Sequence, residues 1–382
     1  METSLGAEER PRVADLIPRV QLRGAEVFAQ HLEVALSDRY RSRLFPLYGD
    51  AHHEQRAWIG DAAPVDISAA RAGQGPLAMA PAVASLKRRV RAFAPHIVVA
   101  HGGNPLRFAA AAGLQKRAPI VYIRVAAVTP DLRTPARSAS VRWAYGKVAA
   151  FVAVSGSLRD ELVEVFGIPA SRIRVIPNGR LRPPVATLEA RAALRRSFGV
   201  GPAEVMVVWA GRFVPEKDPL AAVRLAERLQ TLAPRARLVV VGGGPSDADV
   251  RAAAERSTNA RLVLTGIRED APAVIAASDL LVSTSLTEGA PGVFVEALLA
   301  GIPVVAPDMG GVRDVISERT GALVPPGDEA ALASAVARLV DHDDLRLSAG
   351  AAAREAGERF DIAPVAEAYD ALFTEVRART SG

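Results

Sequence analysis

The chain has 382 residues and a mass of 40.2 kDa, more than one hydrophobic core usually holds, so we expect two domains of roughly 150 to 200 residues. Its 49% hydrophobic and 23% charged residues are typical of a globular protein and exclude disordered, coiled-coil and fibrous chains. The absence of cysteine excludes disulfides, thiolate metal sites and a cysteine nucleophile, and the net charge of +5 favours an anionic partner.

The first half of the chain alternates short apolar runs with longer helical patterns, which predicts β–α–β units and a parallel sheet. The predicted strands are 12–18, 43–48, 96–101, 119–125, 151–155 and 173–177. The predicted helices lie near 25–37, 79–93, 105–116, 136–148 and 157–166. Asn178-Gly179 and Pro183-Pro184 then break the alternation, so we place the domain junction there.

A second alternating series follows the junction. Its predicted strands are 204–211, 236–243, 260–266, 279–285, 302–307 and 321–326. Its predicted helices lie near 218–233, 246–257, 271–277, 293–300, 328–341, 343–359 and 364–378. We therefore expect one domain over residues 1–182, a second over 183–363 and a separate last helix within 364–382. Two doubly wound halves imply a cleft, and ligands of such sheets bind beyond the carboxyl ends of the strands.

The segment SLTEGAPGVFVEALLAG, residues 285–301, is the most informative. Glu288 is expected in the loop above a strand end, and Glu296 points back at that loop because helical side chains lean toward the N-terminus. The helix N-terminus between them favours phosphate, and the carboxylates can accept hydrogen bonds from sugar and ribose hydroxyls. Taken singly, each glutamate is also explained as an exposed loop residue or as an acidic residue favoured by the helix dipole.

A second cluster, GRFVPEKDP at residues 211–219, also follows a strand directly. Arg212 offers a fork-shaped guanidinium and Lys217 a compact ammonium, and together these groups can hold a diphosphate from two sides. Singly, each is explained as a solvated surface charge. Their shared position at a strand end favours the functional interpretation.

The first half offers two further candidates. Gly24 lies at a strand-to-helix turn, where a phosphate can approach the backbone, although a glycine there also serves the turn itself. His101 ends the strand HIVVAH and is expected to face the cleft; the alternative is a histidine that holds a loop. The glycines at 242–244 lack GxGxxG spacing, which excludes a nicotinamide site. His52 and His53 are adjacent, which is poor spacing for metal ligands, and an HExxH motif does not occur, so no metal site is expected.

The positive charge is concentrated in the first half of the chain. Residues 1–185 contain 26 basic and 15 acidic residues, whereas residues 186–382 contain 21 and 27. We expect no nucleic-acid partner, since aromatic side chains are not interleaved with the cations. No apolar stretch is long enough to span a bilayer, and a basic-then-apolar leader is absent from the first residues, so we expect a cytoplasmic protein. The run Lys87-Arg88-Arg89-Val90-Arg91 is either a solvated helix face or a docking site for the inner face of an anionic membrane.

Several motifs occur in an order and spacing that resemble the family 4 glycosyltransferases, retaining enzymes of the GT-B architecture. In the second half these are GRFVPEKDP, GIREDAPAVIAASDLLVSTS, the Glu-x7-Glu segment, MGGVRDVI and TGALVPPGDEAAL. In the first half they are RGAEVFAQHLEVAL, PHIVVAHGG, FVAVSGSLRDEL and IRVIPNG. The resemblance implies an α/β GT-B fold, in which two doubly wound Rossmann-like domains face a central cleft and the last helix crosses back onto the first domain.

The resemblance also implies an activity: retaining, metal-independent transfer of a sugar from a UDP- or GDP-linked donor to an unidentified glycan, lipid or small-molecule acceptor. No cofactor is implied beyond the donor substrate. By position, Arg212 and Lys217 would bind the diphosphate. Glu296 would hold the ribose and Glu288 the sugar hydroxyls. The other implied contacts are Gly24 with the distal phosphate, His101 with the sugar, the backbone of Gly289, Ala290, Pro291, Gly292 and Val293 with sugar and phosphate, and Gly266 to Arg268 with the base.

The sequence departs from the family pattern at four positions. Arg23 precedes Gly24 where a second glycine is usual, and Val99 takes the place of the first histidine of His-x-His. Asp314 stands where glutamate is frequent, and Arg180 replaces a small apolar residue. Two alternatives remain beside the transferase: a nucleotide-sugar-binding scaffold without catalysis, and a nucleotide-sugar epimerase of the same fold. The presence of both cations and both glutamates argues against each.

Overall fold

The computed structural model describes residues 10–19, 24–48, 76–125, 135–183, 187–257, 261–288 and 291–379. The chain forms two compact units. Unit 1 comprises Met1–Gly179 and Ile362–Gly382, and unit 2 comprises Arg180–Asp361. The chain thus enters unit 2 three residues before the predicted boundary and returns to unit 1 at Ile362.

Unit 1 is built from one parallel sheet with helices between its strands. Its strands are β1 Arg12–Arg19, β2 Arg41–Tyr48, β3 Ile97–His101, β4 Ile120–Arg124, β5 Ala150–Ala153 and β6 Ile173–Val175. Its first helices are α1 Gly24–Ala35, α2 Pro76–Phe93, α3 Gly103–Ala111, α4 Pro135–Tyr145 and α5 Gly156–Phe166. The strand order is β2-β1-β3-β4-β5-β6, and every adjacent pair is parallel. The order reverses between β1 and β3, so the ligand crevice of this sheet is expected at their carboxyl ends.

Unit 2 repeats this architecture. Its strands are β7 Val205–Arg212, β8 Ala236–Gly243, β9 Leu262–Gly266, β10 Leu280–Val282, β11 Val304–Pro307 and β12 Gly321–Val324. Its helices are α6 Leu188–Ser197, α7 Pro219–Leu232, α8 Asp247–Arg256, α9 Ala271–Ala277, α10 Gly292–Ala300, α11 Gly310–Arg313, α12 Glu329–Asp341 and α13 Asp343–Gly357. The parallel order β12-β11-β10-β7-β8-β9 reverses between β7 and β10. Hydrophobic cores on both faces of the sheet explain the continuous apolar runs of its strands.

The last helix, α14 Ile362–Ala378, belongs to unit 1 and packs against α1. The Tyr369 ring lies 5.7 Å from the Phe28 ring. Arg39 forms ion pairs with Glu367 at 2.6 Å and with Asp370 at 2.7 Å. The final segment of the chain therefore completes the fold of the first unit.

The two passages of the chain between the units lie side by side at the edge of unit 2. The Arg180 N–H donates to the Phe360 carbonyl over 2.9 Å, and Arg180 forms an isolated parallel bridge with Asp361. Arg182 is ion-paired with Asp361 at 3.0 Å and with Glu358 at 2.9 Å. Entry into unit 2 and exit from it are thus held together by backbone and side-chain contacts.

The predicted pair of doubly wound sheets is confirmed, but α6 was not predicted. None of its residues is buried, so the apolar periodicity that signals a helix is missing. Thr187 caps the helix by accepting from Ala190 N at 3.1 Å. Arg191 and Arg195 bind the Asp279 carboxylate at 2.8 and 2.7 Å. Charge pairing, rather than an apolar face, holds α6 against the unit.

Candidate active site

Unit 2 brings four predicted site residues to one edge of its sheet. Arg212 ends β7 and Lys217 follows it, whereas Glu288 lies in the loop after β10 and Glu296 lies on α10. Because β7 and β10 are neighbours at the reversal of strand order, their following loops border one crevice. The candidate active site of this unit therefore lies at the carboxyl ends of β7 and β10.

Hydrogen bonds join the two loops to each other. The Trp209 indole Nε1 donates to Thr284 Oγ1 over 2.8 Å, and this hydroxyl donates to the Lys217 carbonyl over 2.9 Å. The Leu286 N–H donates to the Glu216 carbonyl over 2.8 Å. The sequence motifs did not single out Trp209 and Thr284, which hold the loops in register.

Lys217 and Glu288 form an ion pair through Nζ and Oε1. Ser285 Oγ donates to the same carboxylate oxygen over 2.7 Å and accepts from Ser283 Oγ over 3.0 Å. The Glu288 side chain is only 6% exposed, so it is not the solvated loop residue of the alternative interpretation. Glu288 lies at the centre of a hydrogen-bonded network that also positions the lysine.

Arg212 is exposed, and no described carboxylate lies within 4.0 Å of it. The backbone next to Arg212 packs directly against the glycines at 242–244. A Cβ on Gly242 would lie 1.8 Å from the Gly211 carbonyl oxygen, so no side chain fits there. A Cβ on Gly244 would lie 2.9 Å from the Phe213 carbonyl oxygen. Both glycines have positive φ, 149° and 154°. This segment, excluded as a nicotinamide site, therefore lets two backbones approach closely beneath Arg212.

Glu296 is paired with Arg180, which sequence reasoning had treated only as a departure from the family pattern. Arg180 Nε lies 3.6 Å from Glu296 Oε1, and the Arg180 side chain is 2% exposed. Its guanidinium lies against Gly292, where a Cβ would come within 2.3 Å of Nη2. Burial raises the pKa of Glu296 and the neighbouring guanidinium opposes that rise; burial likewise lowers the pKa of Arg180. Burial disfavours the charged form of both residues, and the opposite charge of the partner favours it.

The N-terminus of α10 offers backbone N–H groups beside these side chains. Pro291 is its N-cap and provides no capping side chain. Gly292 and Val293 open the nine-residue helix, so their amides and the helix dipole favour an anion here. Gly289 and Ala290, predicted to contribute further backbone contacts, lie outside the described residues.

The predicted base-binding residues lie at the end of β9 and directly after it, in the same unit. Gly266 has φ of 73°. The Arg268 guanidinium binds both oxygens of Asp270 at 2.7 Å and lies 5.3 Å from the Phe198 ring centre. Ile267, between Gly266 and Arg268, is 56% exposed. Its side chain packs against Gly243, where an added Cβ would lie 2.8 Å from Ile267 Cγ1. Ile267 is thus an exposed apolar side chain between Gly266 and Arg268, and the sequence analysis did not identify it individually.

Unit 1 holds its own two candidates at its strand-order reversal. Gly24 begins α1, and His101 ends β3. The ring of His101, which was expected to face the cleft, is 0% exposed, and its Nε2 lies 3.0 Å from Asp15 Oδ1. His101 Nδ1 has no hydrogen-bond partner among the described residues. Asp15 was missed, although a carboxylate in the middle of an apolar strand signals such a partner.

The described residues contain neither a cluster of metal ligands nor a helix suited to span a membrane. Within the described ranges, no three His, Asp or Glu side chains are grouped closely enough to hold a metal ion. Among the helices of the described residues, none has the length and apolar composition that a bilayer-spanning segment requires.

Two family models match the chain, one in each half. Residues 22–180 match Glycosyltransferase Family 4, and residues 204–342 match Glycosyl transferases group 1. A D-inositol 3-phosphate glycosyltransferase of Nocardia farcinica is 35% identical over 243 residues, 58% of this chain and 52% of the relative. A GDP-mannose-dependent alpha-(1-6)-phosphatidylinositol monomannoside mannosyltransferase of Mycobacterium tuberculosis is 33% identical over 217 residues, 53% and 55% of the two chains.

The chain spans about half the length of these curated relatives. Over nearly the whole chain, the fold is similar to that of Anabaena HepE, solved in complex with UDP and glucose. The TM-score is 0.78 at 21% identity, and the match covers 96% of this chain and 100% of that one. With a matching model in each half and this shared architecture, the chain belongs to the family 4 glycosyltransferases of the GT-B fold.

Proposed function

We propose that the chain is a retaining glycosyltransferase that moves a hexose-type sugar from a nucleoside diphosphate donor to an acceptor without a metal ion. One observation carries the proposal. Two cations, Arg212 and Lys217, and two carboxylates, Glu288 and Glu296, meet at the strand-order reversal of unit 2 beside an uncapped helix N-terminus. The cations and the helix N-terminus fit a diphosphate, and the carboxylates fit the hydroxyl groups of two rings that flank it.

The cations and the N-terminus of α10 would bind the diphosphate. Arg212 has no described carboxylate partner, so its guanidinium is available for two phosphate oxygens. Lys217 would exchange Glu288 for phosphate, or share its three N–H donors between the two. Positive groups placed where the departing diphosphate gains charge stabilise the transition state. These groups supply the neutralisation that a metal ion would otherwise give.

The carboxylates would orient the two rings. Among the described residues, the contacts of Glu288 use Oε1, from Lys217 and Ser285, and we assign Oε2 to the sugar hydroxyls. Glu296 would accept hydrogen bonds from the ribose hydroxyls, with its charge sustained by Arg180. The backbone of residues 289–293 would contact sugar and phosphate, and Gly266, Ile267 and Arg268 would border the base.

We propose that Gly24 contacts the distal phosphate and that His101 contacts the sugar. The buried Nδ1 of His101 supports this role, because a buried nitrogen without a described partner is costly unless a further group satisfies it. The Asp15 carboxylate on Nε2 would keep the ring oriented, as carboxylates commonly do for functional histidines.

The donor is proposed to carry UDP or GDP. HepE was solved with UDP and glucose, and the relative from Mycobacterium tuberculosis is named for GDP-mannose. The acceptor would be a glycan, lipid or small molecule, with the enzyme acting in glycan, polysaccharide or glycolipid assembly. We further propose a cytoplasmic enzyme that associates with the inner face of a membrane, which the basic balance of residues 1–185 supports.

A thermal-shift panel of UDP, GDP, ADP and their common sugars, with and without EDTA, tests the donor and metal proposals. A selective rise in melting temperature that EDTA leaves unchanged is expected, since a ligand bound to the native state stabilises it. Arg212→Ala and Lys217→Ala should abolish the rise. Arg338→Ala is the matched control, because this exposed arginine lies in the last turn of α12, at the opposite edge of the sheet.

Donor turnover distinguishes the transferase from the two alternatives. The hit from the panel is incubated with the protein, and released nucleotide and the anomeric configuration of the product sugar are followed by NMR. Hydrolysis or transfer with the donor's configuration supports a retaining transferase. Binding without turnover supports the scaffold, and a donor whose sugar is epimerised without nucleotide release supports the epimerase.

A further inference from the structure

A basic groove of about 780 Å³ lies on unit 1, and none of its lining residues is a predicted donor contact. Its charged and aromatic lining residues are Lys87, Arg91, Lys116, Arg117, Trp143 and Lys147. They come from α2, from the turn at residues 114–117 and from the end of α4 with the turn after it. Three separate segments thus converge on one cationic surface.

The groove lies at the amino ends of the strands. α2 ends at Phe93 just before β3, the turn at 114–117 precedes β4, and α4 ends at Tyr145 just before β5. Every one of these segments leads into a strand of the same parallel sheet. Substrates of doubly wound sheets bind at the opposite, carboxyl edge, where Gly24 and His101 lie. The groove is therefore distinct from the site proposed for transfer.

The charges of the groove are not balanced locally. No described carboxylate lies within 4.0 Å of any of its five basic side chains. Elsewhere arginines of the same unit are paired, such as Arg39 with Glu367 and Arg124 with Glu161. Like charges brought together without counter-charges raise the local positive potential and attract an anionic partner.

The structure divides the basic run of α2 into two faces. Lys87 and Arg91, four residues apart, share one helix face and line the groove, whereas Arg88 and Arg89 do not line it. Trp143 stands beside the cations and is 50% exposed. A large amphipathic ring next to lysine and arginine is the combination found where proteins meet the membrane–water interface.

We propose that this groove binds anionic phospholipid headgroups and inserts Trp143 into the interfacial region of the membrane. The groove is then the surface through which the protein associates with the membrane, and this assignment rests on the peripheral association proposed above. The groove residues take no part in donor binding or transfer. Docking and donor binding can therefore be measured separately.

Flotation with vesicles tests the proposal, using phosphatidylcholine alone and an equimolar mixture with phosphatidylglycerol. The full chain should float only with the mixed vesicles. Lys87→Glu with Arg91→Glu should lower partitioning by on the order of thirtyfold or more, since each basic residue at an anionic surface adds to binding. Arg88→Glu with Arg89→Glu is the control, because it makes the same change of net charge on the same helix. We expect its loss to be within about threefold.

Tryptophan fluorescence gives an independent readout. Mixed vesicles should shift the emission of the wild-type protein to shorter wavelength, and Trp143→Phe should remove that shift. Equal losses of vesicle partitioning in the two double variants would overturn the assignment of binding to the groove, because long-range charge alone would then explain binding. No flotation of the wild type, or binding of soluble pyrophosphate in the groove without flotation, would overturn the assignment to lipid. The nucleotide thermal shift without vesicles, unchanged in the groove variants, reports on the donor site independently.

Discussion

Arg180 and Glu296 form a buried ion pair beside the first turn of α10, with Nε 3.6 Å from Oε1. Burial raises the pKa of Glu296, and only the guanidinium opposes it. Removing the guanidinium in Arg180→Leu should therefore raise that pKa further, so that a larger fraction of Glu296 is protonated at a given pH than in the wild type. A protonated carboxyl accepts hydrogen bonds poorly, so nucleotide affinity should fall on the order of tenfold at neutral pH and recover as the pH increases.

Calorimetric titration with the nucleotide that the wild type prefers, from about pH 5 to about pH 9, checks this prediction. The matched variant is Arg180→Leu with Glu296→Gln, whose affinity should keep only the pH dependence that ionisation of the nucleotide's terminal phosphate, with a pKa of about 6, also gives the wild type. A loss of affinity in Arg180→Leu that is the same at every pH would instead indicate that the arginine contacts the nucleotide itself.

Glu288 holds Lys217 through the oxygen that also accepts from Ser285. Glu288→Gln removes the competing carboxylate, so the ammonium becomes fully available to a diphosphate. The affinity for free nucleoside diphosphate should stay the same or increase, while turnover of the sugar donor falls by on the order of a hundredfold. Parallel decreases in nucleotide affinity and turnover would contradict this separation of roles.

Gly242 supports the backbone that presents Arg212. In Gly242→Ala the new Cβ would lie 1.8 Å from the Gly211 carbonyl oxygen, at a φ of 149°. We expect the free energy of unfolding of unit 2 to fall by on the order of 3 kcal/mol, measured by denaturant titration. Gly310→Ala serves for comparison, because its Cβ would meet nothing within 4 Å. Similar stabilities of the two variants would show that the strand backbones adjust to the added methyl group.

Tyr369 and Tyr40 differ in what their hydroxyls contact. Tyr369 is fully buried and its Oη has no partner among the described residues, whereas Tyr40 donates to Asp370 over 2.7 Å. Tyr369→Phe should leave the melting temperature unchanged or raise it, since no hydrogen bond is lost. Tyr40→Phe should cost about 1 kcal/mol. A clear destabilisation by Tyr369→Phe would reveal a bound group that satisfies its hydroxyl.

The strands could be predicted within a few residues because parallel strands buried on both faces are nearly continuous apolar runs. The residues of the unit 2 site could be predicted as a group because loops after neighbouring strands meet at one edge. Contacts between distant side chains could not. The Asp15–His101 pair joins residues 86 positions apart, and the Arg180–Glu296 pair depends on where the chain enters unit 2. The unpredicted α6 is held by charges that carry no helical periodicity.

Entry and exit lie together at Arg180 and Asp361, so unit 2 has the topology of a domain inserted into another. During synthesis, unit 2 has all its residues once position 361 has been made, whereas unit 1 waits for α14. The first unit to begin is therefore the last to be completed. Loss of the final 21 residues should leave the fold of unit 2 intact and expose the face of α1 that Tyr369 covers.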